Sequence, residues 1–144
     1  MLNMIRNNIK DLGDAGTNVY LALMTSDHAF AQNNALWTAV SANQIDDIYT
    51  GSTDYTAGGV EITGKSVTYG DNRITIFNSS TEVVFCTTGD IKAYHGVIYA
   101  STAKNTTGYL ISSIDFDGVE ESVSGEFKVS WNSTGGIFAI TVGA

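Results

Sequence analysis

The feature that most constrains this chain is a close series of short apolar runs, separated by turn-forming residues, from Val60 onward. The separators contain Gly-Lys, Gly-Asp-Asn, Gly-Asp and Gly-Gly, which are typical of hairpin turns. Alternation is clearest near the end, where Phe127, Val129 and Trp131 are expected to point inward. The predicted strands cover residues 60–63, 65–69, 72–77, 82–87, 91–100, 109–116, 125–131 and 137–142.

The residues before this series predict one buried strand and one short helix. Residues 19–24 are continuously apolar, which fits a strand buried on both faces. Residues 35–47 could form a short helix with Trp37 and Val40 facing inward, and residues 48–59 have the composition of a surface loop. About eight strands with so little helix predict an all-β fold, which would be a β-sandwich or jelly-roll-like domain.

The first twelve residues differ from the rest, because their apolar side chains are spaced as on one stripe of a short helix. Gly13 and Gly16 break this pattern, so we divide the chain into an N-terminal arm, 1–16, and a single β domain, 17–144. A helix of this length is marginal alone, and its stripe must pack on its own domain or on a neighbouring subunit. The possible subunit-interface residues are Leu2, Ile5, Ile9 and Leu12.

The charge balance argues against several kinds of partner. Fifteen acidic residues oppose seven scattered bases, for a net charge of −8, and no cluster of Lys and Arg is present to neutralise phosphates. We therefore expect no contact with nucleic acid and none with a membrane. No apolar run approaches the roughly 20 residues that cross a bilayer. The sequence MLNMIRNNIK also lacks a signal-peptide core, so we expect a soluble protein made in a cytoplasm.

Groups that could converge for catalysis are scarce. The two histidines are His28, in the loop sequence TSDHAF, and His95, within a predicted strand. No HExxH, CxxC, GxSxG or phosphate-binding loop motif occurs. Cys86 stands alone in an apolar run and is expected to be a buried, inert thiol. The sequence therefore predicts a protein that is not an enzyme, with no catalytic residue, no cofactor and no metal site.

The densest acidic segment, IDFDGVEES, holds four carboxylates within seven residues. Such a group of oxygen ligands could bind calcium, but its spacing does not match the twelve-residue EF-hand loop. We therefore favour a solvated turn between two strands, and we interpret Asp46 and Asp47 in the same way. The four carboxylates belong to Asp115, Asp117, Glu120 and Glu121.

Two tryptophans and seven tyrosines suggest a second kind of site, a flat platform on which sugars stack. Only Tyr49, Tyr55 and Tyr69 lie next to loops, and most other aromatic residues fall at core-facing strand positions. Core packing is therefore the favoured role for the aromatic residues.

A set of motifs follows in a particular order from Asn18 to the end of the chain. They are NVYLALMTS, LWTAVSANQI, a loop ending in YTAGGVEITGKSVT, AYHGVIYA, GYLISSIDF and FKVSWNSTGGIFAITV. In this order the chain resembles a family of small virion structural proteins of tailed bacteriophages, similar in role to capsid decoration or cement proteins. The motifs are structural and contain no catalytic signature.

The resemblance implies a β-sandwich-like subunit that stabilises the phage head by bridging major capsid subunits. It implies the major capsid protein as the partner, a homo-oligomer with a trimer favoured, and a place on the capsid surface of a virion assembled in the host cytoplasm. It also favours docking of the arm on a neighbouring subunit. The alternative is a subunit of the head–tail junction, tail or fibre that binds a carbohydrate or a receptor.

Overall fold

The computed structural model describes residues 18–46, 55–70, 74–132 and 136–141. This part of the chain is mostly antiparallel β-sheet, as the sequence predicts, and it holds no helix of seven or more residues. One sheet has the strand order β2-β1-β5-β6 and the other β3-β4-β7, and neither sheet is closed. The strands are β1 (Asn18–Met24), β2 (Val60–Glu61), β3 (Lys65–Gly70), β4 (Ile74–Ser79), β5 (Val83–Ser101), β6 (Tyr109–Val129) and β7 (Phe138–Thr141).

Strand β1 is the centre of the fold because its sequence, NVYLALM, is apolar at every position after the first. It pairs with β2 on one edge and with β5 on the other, so both of its rows of backbone groups are hydrogen-bonded. All six residues from 19 to 24 are buried. The prediction of a strand covered on both faces is therefore confirmed for this segment.

The two faces of the first sheet contribute to different clusters. On one face, Leu21 and Ile98 pack in a cluster that includes Ile62 and Phe77, and Phe77 belongs to the second sheet. On the other face, Tyr20 and its neighbours pack against the segment that follows β1, which contributes Trp37 and Val40. The core therefore has two layers, one closed by a sheet and one closed by a connecting segment.

The short helix predicted for residues 35–47 is replaced by two turns of 3-10 helix, Trp37–Ala39 and Ser41–Asn43. Both ends of the segment are held in bridges to strands: Leu36 pairs with Tyr109, and Gln44 pairs with Met24. Too few residues remain between these bridges for an α-helix of ordinary length. Trp37 and Val40 are nevertheless buried, as their positions in the sequence predict.

The prediction of separate strands at 82–87 and 91–100 is wrong, and so is the separation of 109–116 from 125–131. Each pair is joined in one long strand, β5 or β6. The Gly89-Asp90 sequence does not turn the chain, because Gly89 continues the ladder opposite Gly125. The register shifts on both sides of Gly89, so the glycine marks a bulge in a strand rather than a hairpin.

The loop predicted at 48–59 is described only from residue 55, where the chain makes a close approach to β1. Gly59 has φ 76, and a Cβ atom there would overlap the carbonyl oxygen of Leu21. Only glycine combines this backbone conformation with so short an approach. The carbonyl of the preceding residue, Gly58, accepts a hydrogen bond of 2.8 Å from the Tyr99 hydroxyl.

Candidate functional site

The four residues predicted as a subunit interface, Leu2, Ile5, Ile9 and Leu12, lie outside the described residues. The same is true of Asp47 and Tyr49. The described surface has two candidate sites, one along β6 and one beneath the loop that follows β1.

The acidic segment IDFDGVEES is not a turn between two strands, which corrects the sequence prediction. It lies within β6 and faces β5, where Asp115 pairs with His95 and Glu120 pairs with Ala93. Four residues, 116–119, therefore face the single residue between these two partners, and the excess forms a bulge. Asp117 and Gly118 carry the positive φ angles, 58° and 138°, that this bulge needs.

A shallow groove runs beside this part of β6, and we call it the β6 groove. Its apolar lining comes from Phe127, which is buried, and from the half-buried Phe116 and Val129. The volume of the groove is about 450 Å³. Its charged lining residues are Glu120, Glu121, Glu126 and Lys128.

The charges of the β6 groove fall into a paired and an unpaired group. The Lys128 ammonium lies 3.2 Å from a carboxylate oxygen of Glu82 and 3.3 Å from one of Glu126. A hydrogen bond from the Ser130 hydroxyl, together with Lys128, lowers the pKa of the Glu82 carboxyl. Within the described ranges, by contrast, Glu120 and Glu121 take part in no ion pair. A net negative charge therefore remains at one end of the groove.

Two exposed valines accompany these acids. Val119 is 45% exposed and Val123 is 72% exposed. Strand β6 is also the last strand of its sheet. After the first few residues of β6, no strand of the described chain pairs with its outer edge. Exposed apolar side chains on an unpaired edge are features of protein–protein contact surfaces.

The second feature is a pocket of about 200 Å³ beneath the loop after β1, which we call the His28 pocket. His28 is buried, and its Nε2 atom lies 3.0 Å from the Ser113 hydroxyl of β6. Its Nδ1 atom is buried with no hydrogen-bond partner among the described residues. Its ring centroid is 5.5 Å from that of His95. Burial, and then the neighbouring His95, lower the pKa of His28.

The groups around His28 do not form a catalytic relay. A relay needs one imidazole that contacts a hydroxyl with one nitrogen and a carboxylate with the other. Here the hydroxyl contact belongs to His28, whereas the carboxylate contact belongs to His95, whose Nδ1 lies 3.5 Å from an Asp115 oxygen. The two contacts are on different rings, so the arrangement does not deliver a proton from serine to a carboxylate-oriented base.

The rim of the His28 pocket combines an exposed aromatic ring with side-chain amides. Phe30 is 74% exposed there, and the amide side chains of Gln32 and Asn34 line the same pocket. Sequence reasoning missed this pocket, although an aromatic residue among Asn and Gln in a loop was a visible signal. Of the loop tyrosines it considered, Tyr55 is buried, and that burial raises the pKa of its hydroxyl.

Neither a metal-binding cluster nor a membrane-spanning helix is found among the described residues. No group of three or more His, Cys, Asp or Glu side chains there could hold a metal ion. None of the helices described is long and apolar enough to span a membrane. Cys86 is half-buried rather than fully buried, and its Sγ lies 3.5 Å from the carbonyl oxygen of Gly125.

Comparison with known proteins gives no relative for this chain: no family model, curated protein or solved structure matches it.

Proposed function

We propose that this protein is a structural subunit of a bacteriophage virion, a capsid decoration (cement) protein that stabilises the head by bridging major capsid subunits. It works on the capsid surface after assembly in the host cytoplasm and has no enzymatic activity. The observation that carries this proposal is the surface of β6, where exposed valines lie beside the β6 groove together with carboxylates that make no ion pair in the described part of the chain.

This surface suits a protein whose function is to bind other proteins. Val119 and Val123 contribute little to the core, because each exposes nearly half of its side chain or more. Carboxylates such as Glu120 keep the free subunit soluble, and they become specific contacts once they face bases on a partner. The surface is therefore available for contact without loss of the fold.

The finer architecture that we propose is a β-sandwich. Its support is the cluster in which Val19 and Leu21 of the first sheet share a core with Phe77 and Val67 of the second. Two sheets that bury one common layer of apolar side chains are the defining arrangement of such a fold. A sandwich also leaves its outer strands free to face a partner.

Stabilisation of the head follows from linkage. A subunit that binds the assembled shell, but not its separated subunits, shifts the equilibrium toward the shell by an amount that grows with its concentration and affinity. Bridging contacts add to this effect, because each copy must be released before the subunits beneath it separate. The resemblance favours a trimer, which places three copies of each surface around one symmetry axis.

Electron microscopy of purified particles tests the proposal directly. We expect added density of this fold on the outside of the head, and a higher temperature of genome release with the protein than without it. Particles that lack the protein and release their genomes at the same temperature would exclude a cement role. Density confined to the neck or tail would also exclude it.

A second candidate function rests on a separate observation, the His28 pocket with the exposed Phe30 on its rim. Aromatic rings stack on the apolar faces of sugars, and side-chain amides such as that of Gln32 bond to their hydroxyls. A head–tail junction, tail or fibre subunit with this pocket would bind a carbohydrate receptor. Glycan-array binding that disappears in Phe30→Ala, with Val123→Ala as control, would favour this function over the first.

A further inference from the structure

We propose that the β6 groove binds residues 1–12 of a second copy of this chain. The inference extends the proposed function, since it identifies the surface through which copies associate.

The apolar lining of the groove fits an apolar stripe. Phe116 and Phe127 present aromatic surface there, and Val129 extends it along the strand. Residues 1–12 carry the complementary feature, the stripe formed by their four branched aliphatic side chains. Burial of such side chains removes apolar surface from water and so stabilises the contact.

Charge complementarity points to the same segment. Arg6 and Lys10 are the only charged residues before Asp11, so the first ten residues are basic in a chain whose net charge is −8. In the helix that the sequence predicts, these two bases lie one turn apart on the same flank of the stripe. The groove offers Glu120 and Glu121, which have no base partner in the described part of the chain. Two bases therefore face two acids that make no ion pair among the described residues, although Glu121 lies opposite Lys92 in the strand register.

Distance favours a second copy over the chain's own segment. Asn18, the first described residue of β1, pairs with Ser101 at the far end of β5. The groove lies along the part of β6 that pairs with residues 83–93 of β5. At about 3.3 Å per residue, it begins roughly 26 Å and ends roughly 59 Å from that point.

Residues 13–17 span at most about 18 Å when fully extended, and the twelve-residue helix that the sequence predicts adds about 18 Å. Together they reach only the near part of this groove. The middle of residues 1–12 therefore cannot reach the middle of the groove on the same chain. The length of the linker places no such limit on the groove of a second copy. Reciprocal exchange between copies satisfies every groove in a closed oligomer.

Two charge-reversal variants of the full chain test the proposal. The groove variant is E120K/E121K, and the segment variant is R6E/K10E. By analytical ultracentrifugation at low salt, each variant alone should self-associate about tenfold more weakly than the original chain, because like charges then face each other. The control D27K reverses an exposed acid away from the groove and should associate normally.

An equimolar mixture of the two variants gives the decisive result. In a mixed pair the reversed groove meets the reversed segment and the original groove meets the original segment, so both contacts are complementary. Association of the mixture should therefore be stronger than that of either variant alone. Recovery should be complete in a pair and partial in a trimer, because one of the three contacts of a mixed trimer joins two like chains. A mixture that stays as weak as its components would overturn the proposal. So would an original chain that stays monomeric, or a segment variant that weakens association while the groove variant does not.

The same experiment keeps this inference separate from the proposed function, because it uses no particles. Variants that melt at a lower temperature without any change in association would show that the segment packs on its own domain, and would overturn the inference alone. Normal exchange of segments by a chain that fails to bind capsids would overturn the proposed function alone.

Discussion

The two halves of β6 face different surroundings, although they belong to one strand. Near its start, the strand pairs with residues 96–100 of β5, all of them buried, which are paired in turn with β1. In residues 115–124, most residues are exposed, and the strand bulges away from β5. The first half holds the protein together, and the second half presents a surface. Stability and association should therefore respond to different substitutions.

The largest effect should come from the first region, at Trp37. Its side chain is fully buried, its ring stacks on Tyr99 at 4.4 Å, and its indole N–H donates to the Asn105 side chain. Trp37→Ala should lower the free energy of unfolding by about 3–5 kcal/mol, because it removes this packing and leaves a cavity. Chemical denaturation measures the loss, with Phe30→Ala as an exposed aromatic control. A loss as small as that of the control would contradict the assignment of this core.

A single hydroxyl should give the next largest effect. The Tyr99 hydroxyl donates to the Gly58 carbonyl at 2.8 Å and accepts from the Asn105 N–H at 3.0 Å, and burial raises its pKa to about 12. Tyr99→Phe keeps the ring but leaves two backbone groups without their partner, so it should cost about 1–3 kcal/mol.

Tyr20→Phe is the matched control for this hydroxyl. The Tyr20 ring stacks on Tyr99 at 5.3 Å, yet its hydroxyl makes no hydrogen bond within the described residues. Denaturation curves of the two variants should therefore differ by at least 1 kcal/mol. Equal losses would mean that the fold does not depend on the link between Gly58 and Asn105.

The His28 pocket is lined by residues 110–113 of the first region, and His28 should make stability depend on pH. Burial and His95 lower the pKa of His28 in the folded protein below its ordinary value of 6.5. The unfolded chain therefore takes up a proton first as the pH falls. His28 contributes its full stability above pH 6.5 and loses it progressively below that value, down to its folded pKa. Melting temperatures at pH 7.5 and 5.5 measure the difference.

His28→Gln separates this effect from other titrations. Glutamine keeps a polar group near the Ser113 hydroxyl but cannot titrate, so the melting temperature of the variant should fall less between the two pH values. His95→Gln removes one cause of the lowered pKa, the neighbouring imidazole, and should reduce the pH dependence only in part. An identical fall in His28→Gln and in the original chain would assign the pH dependence to other groups.

The sequence predicts those features of the fold that depend on residues close together in the chain. Strand β1 is predictable because every position from Val19 to Met24 is apolar, and only a doubly buried strand uses such a run in so short a segment. The inward positions of Trp37 and Val40 follow from equally local spacing. The alternation of residues 126–131 also agrees with their burial, since Phe127 is buried and its neighbours are exposed.

The long β5–β6 pair was not predictable in this way. A Gly-Asp sequence fits a hairpin turn and a bulge equally well, and the choice is made by a residue far along the chain, Gly125, which pairs with Gly89. The His28 pocket has the same origin, because His28 and Ser113 are 85 residues apart. Contacts of this kind depend on the strand register, which one sequence read locally does not contain.

The smallest effect on stability should come from the exposed half of β6. Val119→Thr with Val123→Thr keeps β-branched side chains in the strand, so the propensity of β6 for its extended form is nearly unchanged. Because both valines are exposed, the free energy of unfolding should change by no more than about 0.5 kcal/mol. The polar hydroxyls should nevertheless weaken any contact that buries these positions, by about 1 kcal/mol for each buried methyl that they replace. Denaturation and ultracentrifugation of the same variant measure both quantities. A variant that loses stability but not association would place this strand in the core of the fold and remove the distinction between the two halves of β6.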